Sequence, residues 1–234
     1  MKKIAVLFLG IAMSMTMIFA QSAENQDKAT STKPASEEMQ ALETAYTLAE
    51  YGYANSSASA LIMAAEILSS VDITALSESS DFAGKKGTSV AAEQSSEVDY
   101  TPQQLLDDAK QLYGKDKTMK AWAASVQKLV DASKATRGTV SGPYYDVDCV
   151  SGNGGTCTYT ITYYGNEYAE AGVYSLDGCD YDIFVYDANG NFITQDVSYS
   201  SNAYCSWVPR WTGTFRIVVK NRSGYAGRYR FTTN

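Results

Sequence analysis

Hydrophobic and polar positions along this chain follow two different periods, and the change from one to the other lies near Gly138. Before it, apolar residues recur every three or four positions: Leu42, Ala45, Tyr46, Ala49 and Tyr53, then Leu61, Ala64, Ala65 and Leu68 beyond Asn55-Ser56-Ser57. That spacing places each set on one side of a helix and predicts a helical hairpin with a tight turn. Ala on the inward faces lets the two axes approach closely, as in helical-hairpin repeat proteins. Thr101-Pro102-Gln103-Gln104 supplies an N-cap, a proline at the first helical position and a glutamine placed to close a capping box, so a third helix starts there. Leu105, Leu106, Ala109 and Leu112 form its apolar stripe. A fourth helix after Gly114 carries Trp122, Val126, Leu129 and Val130 on one face and ends near Arg137-Gly138.

Beyond Gly138 the period falls to two, glycine-rich turns appear, and 13 of the 18 tyrosines follow. Strands are expected near 140–150, 156–164, 169–176, 181–187, 192–197, 203–208, 214–220 and 225–232, with turns at Asn153-Gly154-Gly155, Asn189-Gly190 and Thr212-Gly213. Short strands at this density fit an antiparallel β-sandwich. In the fourth strand Tyr181, Ile183 and Val185 face the core, while Asp182, Phe184 and Tyr186 face outward; in the seventh Phe215, Ile217 and Val219 point in and Arg216 and Lys220 point out. The expected fold class is therefore α+β with segregated parts, a small α-helical hairpin module followed by an antiparallel β-sandwich.

The ends of these parts differ in composition. Lys2 and Lys3 precede an apolar run from Ile4 to Ala20, the order of a secretory signal peptide cut after Ala20. Residues 21–36 lack aromatic and large aliphatic side chains and read as a disordered tether, and 77–99, rich in Ser, Gly, Lys and Glu, reads as a flexible loop. The resulting division is 1–20 signal peptide, 21–36 tether, 37–137 helical module containing that loop, and 138–234 sandwich domain. No second segment is apolar enough to span a bilayer, so the mature chain is expected without a membrane span, periplasmic or extracellular. Export suits an even number of cysteines: Cys149 and Cys157 flank one turn, Cys179 and Cys205 bracket a hairpin, and each pair is expected to form a disulfide.

With 26 acidic against 19 basic residues the net charge is −7, which opposes binding to nucleic acid. The chain contains no histidine, which removes Ser-His-Asp and Cys-His catalysis and His-ligated zinc. Acid–base pairs of Asp and Glu need no imidazole, so a carboxylate-dependent secreted hydrolase, a glycosidase or peptidase, is the enzymatic alternative, although no spacing selects such a pair.

Two blocks carry a family resemblance: 177–191, DGCDYDIFVYDANGN, and 207–221, WVPRWTGTFRIVVKN. Their order and spacing resemble bacterial pre-peptidase C-terminal (PPC-like) domains, over about residues 138–234. The resemblance implies a non-catalytic accessory β-sandwich of secreted proteins. Here a weakly tetratricopeptide-like helical segment stands where such domains usually follow a hydrolase. Some members of the family bind calcium, and Asp177, Asp180, Asp182 and Asp187 supply oxygen ligands near one turn; acidic turn residues are equally what a hairpin end contains. For contact with a polysaccharide or another extracytoplasmic protein, the candidates are Phe184, Tyr186, Arg216, Arg228 and Arg230 on the outer face, with Trp207 and Trp211. Tyr144, Tyr145, Tyr163, Tyr164 and Tyr199 are further aromatic candidates, each as well suited to core packing as to binding. All six basic residues after Gly138 lie between Arg210 and Arg230, and all nine acidic ones at or before Asp196, a division that cross-strand pairing would explain. Oligomeric state is not readable from these patterns.

Overall fold

The computed structural model describes residues 23–27, 34–75, 80–83, 100–136 and 143–234; the signal peptide and much of the tether and of the 77–99 loop lie outside the described residues. Four helices, α1 Glu37–Ala54, α2 Ala58–Ser70, α3 Pro102–Tyr113 and α4 Lys117–Thr136, precede the sandwich. Each starts where a short polar side chain takes up an otherwise unsatisfied N–H: Ser36 accepts from Met39, Ser57 from Ala60, and Thr101 from Gln104. Asp116 does the same for α4, accepting from the N–H groups of Thr118 and Met119. A side chain at Gly52 would collide with Leu61, so this glycine permits the close approach of α1 and α2. Leu112 and Leu129, placed in apolar stripes by periodicity, are exposed. No helix among the described residues is long and apolar enough to cross a membrane.

Eight strands follow: β3 Tyr144–Val150, β4 Thr156–Tyr163, β5 Ala169–Ser175, β6 Tyr181–Asp187, β7 Phe192–Asp196, β8 Asn202–Trp207, β9 Gly213–Asn221 and β10 Gly227–Thr233. Two short ones lie between α2 and α3, β1 Thr74–Ala75 and β2 Ser80–Ala83. One sheet has the order β1-β3-β10-β5-β8 and the other β2-β4-β9-β6-β7. All pairings are antiparallel except β1 with β3. The α-then-β-sandwich class expected from periodicity is the observed one. Ser80–Ala83 falls inside the stretch read as a flexible loop. An edge strand is held by main-chain hydrogen bonds to one neighbour, here β4, and needs no side-chain alternation to announce it.

The sandwich interior is aromatic: Tyr159 stacks on Phe231 at 4.0 Å, and Trp207 meets Tyr163 at 4.9 Å and Phe215 at 5.5 Å between ring centres. Strand β5 is buried along its whole length. Its inward residues Ala169, Ala171 and Val173 join this core, while Tyr174 and the following Leu176 join Met39, Leu42 and Tyr46 of α1 in a second apolar cluster. Val147 and Tyr204 pack against the same cluster. The helices therefore form a third layer on the first sheet, and packing crosses the boundary near residue 138.

Tyr174 sits at that junction, 4.8 Å from the Tyr46 ring and donating to the Met39 carbonyl at 3.4 Å. Truncating such a buried aromatic costs ~3–5 kcal/mol. Tyr174→Ala is expected to lower stability by about that amount with helix and sheet still melting together. Urea transitions followed by far-UV circular dichroism and by tryptophan fluorescence should coincide; a helical transition separating from the sandwich in the unmutated protein would contradict the shared core.

Candidate functional site

The outward residues chosen from alternation occupy two faces rather than one. Phe184, Tyr186 and Arg216 lie on the outer face of the second sheet, where the Arg216 guanidinium stands 4.9 Å over the Tyr186 ring and Phe192 packs against its edge. Arg228 and Arg230 belong to β10, on the outer face of the first sheet, which the helices cover. Arg230 is buried between the rings of Tyr145 at 4.7 Å and Tyr46 at 5.3 Å. Trp207 is a core residue with no exposure, so it is corrected from binding candidate to packing residue; its inward position on β8 explains this. Trp211 is partly exposed at the opposite rim, its N–H and carbonyl held by the Asn25 side chain at 3.0 Å each.

All four cysteines are thiols, and neither expected disulfide is formed. Alternation puts Cys149 on the helix-facing side of β3 with Val147, whereas Cys157 points into the sandwich with Tyr159. Cys205 lies inside β8, while Cys179 packs against Gly227 of β10, and β5 separates those two strands. Burial pushes the Cys179 thiol up to about 11 and the Cys205 thiol up to about 12, so both are protonated and weakly nucleophilic at neutral pH.

The four candidate calcium ligands are also dispersed. Asp177 accepts from the N–H of Arg228 at 2.7 Å and of Cys179 at 3.3 Å. Asp182, buried on the outer face of β6, is 3.6 Å from Arg222, and burial raises its carboxyl despite that cation. Asp187 lies at the far end of the same strand, roughly 17 Å from Asp182 at 3.4 Å per residue. Among the described residues no three His, Cys, Asp or Glu side chains gather into a metal-binding group.

What the fold does bring together is a cleft at one end of the sandwich, about 530 Å³, between the 177–180, 197–201 and 222–226 loops. Asp180 joins them: its N–H donates to Ser223 Oγ at 3.0 Å, its carbonyl accepts from Arg222 N at 2.8 Å, and its carboxylate accepts from Ser200 N at 3.3 Å. Asn221, fully buried, holds the third loop by donating to the Tyr225 carbonyl at 2.9 Å and accepting from Ser223 N at 2.8 Å. Gly178 takes φ +77° in the first turn, where a side chain would be strained. On this rigid base Tyr199 is 97% exposed and Tyr225 52% exposed, with Arg222, Ser200, Ser201 and Ser223 between them. A second cleft of about 440 Å³ shares Ser200 and Ser201 and is walled by Glu43, Thr47 and Glu50 of α1. The bonds Ser201 Oγ to Glu50 at 3.2 Å and Asn202 Nδ2 to Thr47 at 3.3 Å join helix to sandwich there. Tyr199 was legible as an aromatic outside the strand pattern. Tyr225 and Arg222 were not singled out, though both belong to the Asn-Arg-Ser-Gly-Tyr turn at 221–225.

No family model matches the sequence, and no curated protein matches it. Among solved structures, the pre-peptidase C-terminal domain of a collagenase from Bacillus anthracis is similar at 12% identity and TM-score 0.34, covering 38% of this chain and 87% of that one. The C-terminal CBM6 of the laminarinase LamC from Zobellia galactanivorans is similar at 17% identity and TM-score 0.24, over 36% of this chain and 76% of that one. TmCBM61, solved with β-1,4-galactotriose, is similar at 15% identity and TM-score 0.22, over 41% and 86%. These likenesses are of β-sandwich kind.

Asp187 gives the clearest titration. Burial would raise its carboxyl, but the Asn191 side chain and the N–H groups of Asn25, Asn191 and Asn189, all within 3.0 Å, outweigh burial and hold it below the ordinary 3.8. The folded state thus favours the carboxylate more than the unfolded chain does, so this stabilisation is complete above about pH 4 and is lost as pH falls through the lowered value. Asp187→Asn is expected to destabilise by ~1–3 kcal/mol at pH 7 and by less at pH 3. Urea midpoints of both proteins at the two pH values check this; an equal difference at both would refute it.

Proposed function

We propose that the protein is an exported, non-catalytic binding protein whose end cleft takes a segment of an extracytoplasmic polysaccharide. The observation that carries this reading is the pair Tyr199 and Tyr225 standing exposed over a hydrogen-bonded polar floor. A sugar ring offers an apolar C–H face and a rim of hydroxyls, and exposed aromatic faces beside serine, carboxylate and guanidinium groups complement both. Export is supported by the Lys2-Lys3 and Ile4–Ala20 pattern.

Hydrolysis is less well supported by the same residues. Asp180 is occupied in joining loops, Asp182 is paired with Arg222, and the two thiols near the core are held protonated. No carboxylate of the cleft is left poised opposite another in the manner of a glycosidase pair.

Tyr199→Ala and Tyr225→Ala are each expected to weaken binding at least ~10-fold, about 1.4 kcal/mol, while leaving the circular dichroism spectrum unchanged. A glycan array with the unmutated protein identifies the ligand, and titration calorimetry with that glycan measures the variants. Binding unaffected by both substitutions, or turnover of the glycan that is lost on removing one carboxylate, would overturn the proposal.

A further inference from the structure

At the end of the sandwich away from the cleft, residues 23–27 lie in a seat formed by the 187–191 turn and the 208–213 loop. The Asn25 side chain pairs with the main chain of Trp211, donating to its carbonyl and accepting from its N–H, each at 3.0 Å. An amide has the donor and the acceptor side by side that these two bonds need; a carboxylate has no donor. Gly213 leaves room for that amide, since a side chain there would begin 3.2 Å from Asn25 Nδ2. Main-chain groups of alternate residues make further contacts, as along an extended strand. The Ala23 carbonyl accepts from Asn191 Nδ2 at 3.4 Å, the Asn25 N–H donates to Asp187 Oδ2 at 3.0 Å, and the Asp27 N–H donates to the Val208 carbonyl at 2.8 Å. Asn25 and Gln26 are 3% and 6% exposed. The seat has its own supports: the Asp187 carboxylate also accepts from the N–H groups of Asn189 and Asn191 at 2.9 Å each.

We infer that this seat is a peptide-recognition site, filled within one chain by its own residues 23–27 and able to take the same segment from a second copy. Asp187, the partner nearest in sequence, is 162 positions from Asn25, so the seat reads the segment by its side chain and main chain and not by its attachment. Its two buried side chains, Asn25 and Gln26, are polar, and each hydrogen bond made in the seat replaces one made to water, with a modest net gain. Release therefore opens no apolar core. The stretch from Asp27 to Pro34 spans at most ~25 Å when extended, enough to carry the segment to a copy placed against this end. Mutual exchange keeps every bond and closes on itself as a two-fold dimer. Exchange competes with the segment's own effective concentration, which is millimolar for a short connection, and so grows with protein concentration. The inference is independent of the polysaccharide reading, because Asp187 ends β6 at the opposite end from Asp180 and the cleft.

A fluorescently labelled, end-capped peptide Ala-Glu-Asn-Gln-Asp probes the seat. By anisotropy it should bind the mature chain carrying Asn25→Ala at least ~10-fold more tightly than the unmutated chain, whose own segment competes. The same peptide carrying Asn25→Asp should bind at least ~10-fold more weakly. Exchange between copies is read from two variants: Asn25→Ala keeps the seat and spoils the segment, whereas Asp187→Asn keeps the segment and weakens the seat. By light scattering each alone should be monomeric, and their equimolar mixture should form a dimer. If Asp187→Asn fails to fold, mixing the Asn25→Ala chain with the unmutated chain replaces that pair, with the same dimer expected. A peptide that ignores the Asn25→Ala chain or binds both chains equally, a mixture that stays monomeric, or a dimer formed as readily by the Asn25→Ala chain alone would overturn the inference.

Discussion

Strand β5 is buried on both faces, and the rest of the architecture answers to that constraint. An antiparallel sandwich can leave its outer faces to water. Here the outer face of the first sheet carries Tyr174, Leu176, Val147 and Tyr204, more apolar surface than an exposed sheet tolerates, and removing it from water is favourable by roughly 25 cal/mol per Å². Helix α1 supplies the cover. Gly172 makes the contact close, since a side chain there would press on Met39 and on the Tyr174 hydroxyl. Arg230 is the awkward member of this face, and the two aromatic faces around it offset part of the cost of desolvating its charge.

Once α1 is fixed on the sheet, its second half becomes a wall beside the end cleft. Glu50 and Thr47 reach Ser201 and Asn202 just before and at the start of β8, so the helical layer braces the loop that displays Tyr199. On the other side Asn153 donates its side-chain amide to the Gly224 carbonyl and its main-chain N–H to the Ser223 carbonyl, and so restrains the 222–226 loop. Loops tied in this way would lose little entropy on taking the ligand proposed for them.

Period-two alternation made β6 and β9 legible, because each has one face in an aromatic core and the other in water or near it. It could not show that β5 is covered twice: Ala-Glu-Ala-Gly-Val-Tyr-Ser has small residues where a one-sided strand would alternate clearly. Residue type misled at Trp207 and Arg230 for opposite reasons. Trp207 was read as a possible contact because tryptophan serves both cores and surfaces, and Arg230 was read as exposed because arginine is seldom buried. The cysteines show a third limit. Sequence separation placed Cys149 and Cys157 on either side of a turn, but which face each side chain takes depends on the strand register, and the two strands belong to different sheets. Asn25, buried against Trp211 and Asp187, lies in a stretch whose polarity read as a tether, because its stability comes from specific hydrogen bonds rather than apolar area.

The uneven placement of charge along the sandwich has a topological cause at one carboxylate, Asp182. Late strand β9 lies beside early strand β6, and there basic residues meet an acidic one. Lys220 sits opposite Asp182, Arg222 pairs with that same carboxylate, and Asp177 takes the main chain of Arg228. Such pairs around Asp182, with the cations at the surface, penalise a register slip that would set like charges together. The acidic residues that looked available for metal or for acid–base chemistry are thereby committed to register, to turns and to loop closure. What the end cleft leaves exposed is chiefly the aromatic rings of Tyr199 and Tyr225, and on the proposed reading such faces would recognise a ligand by stacking.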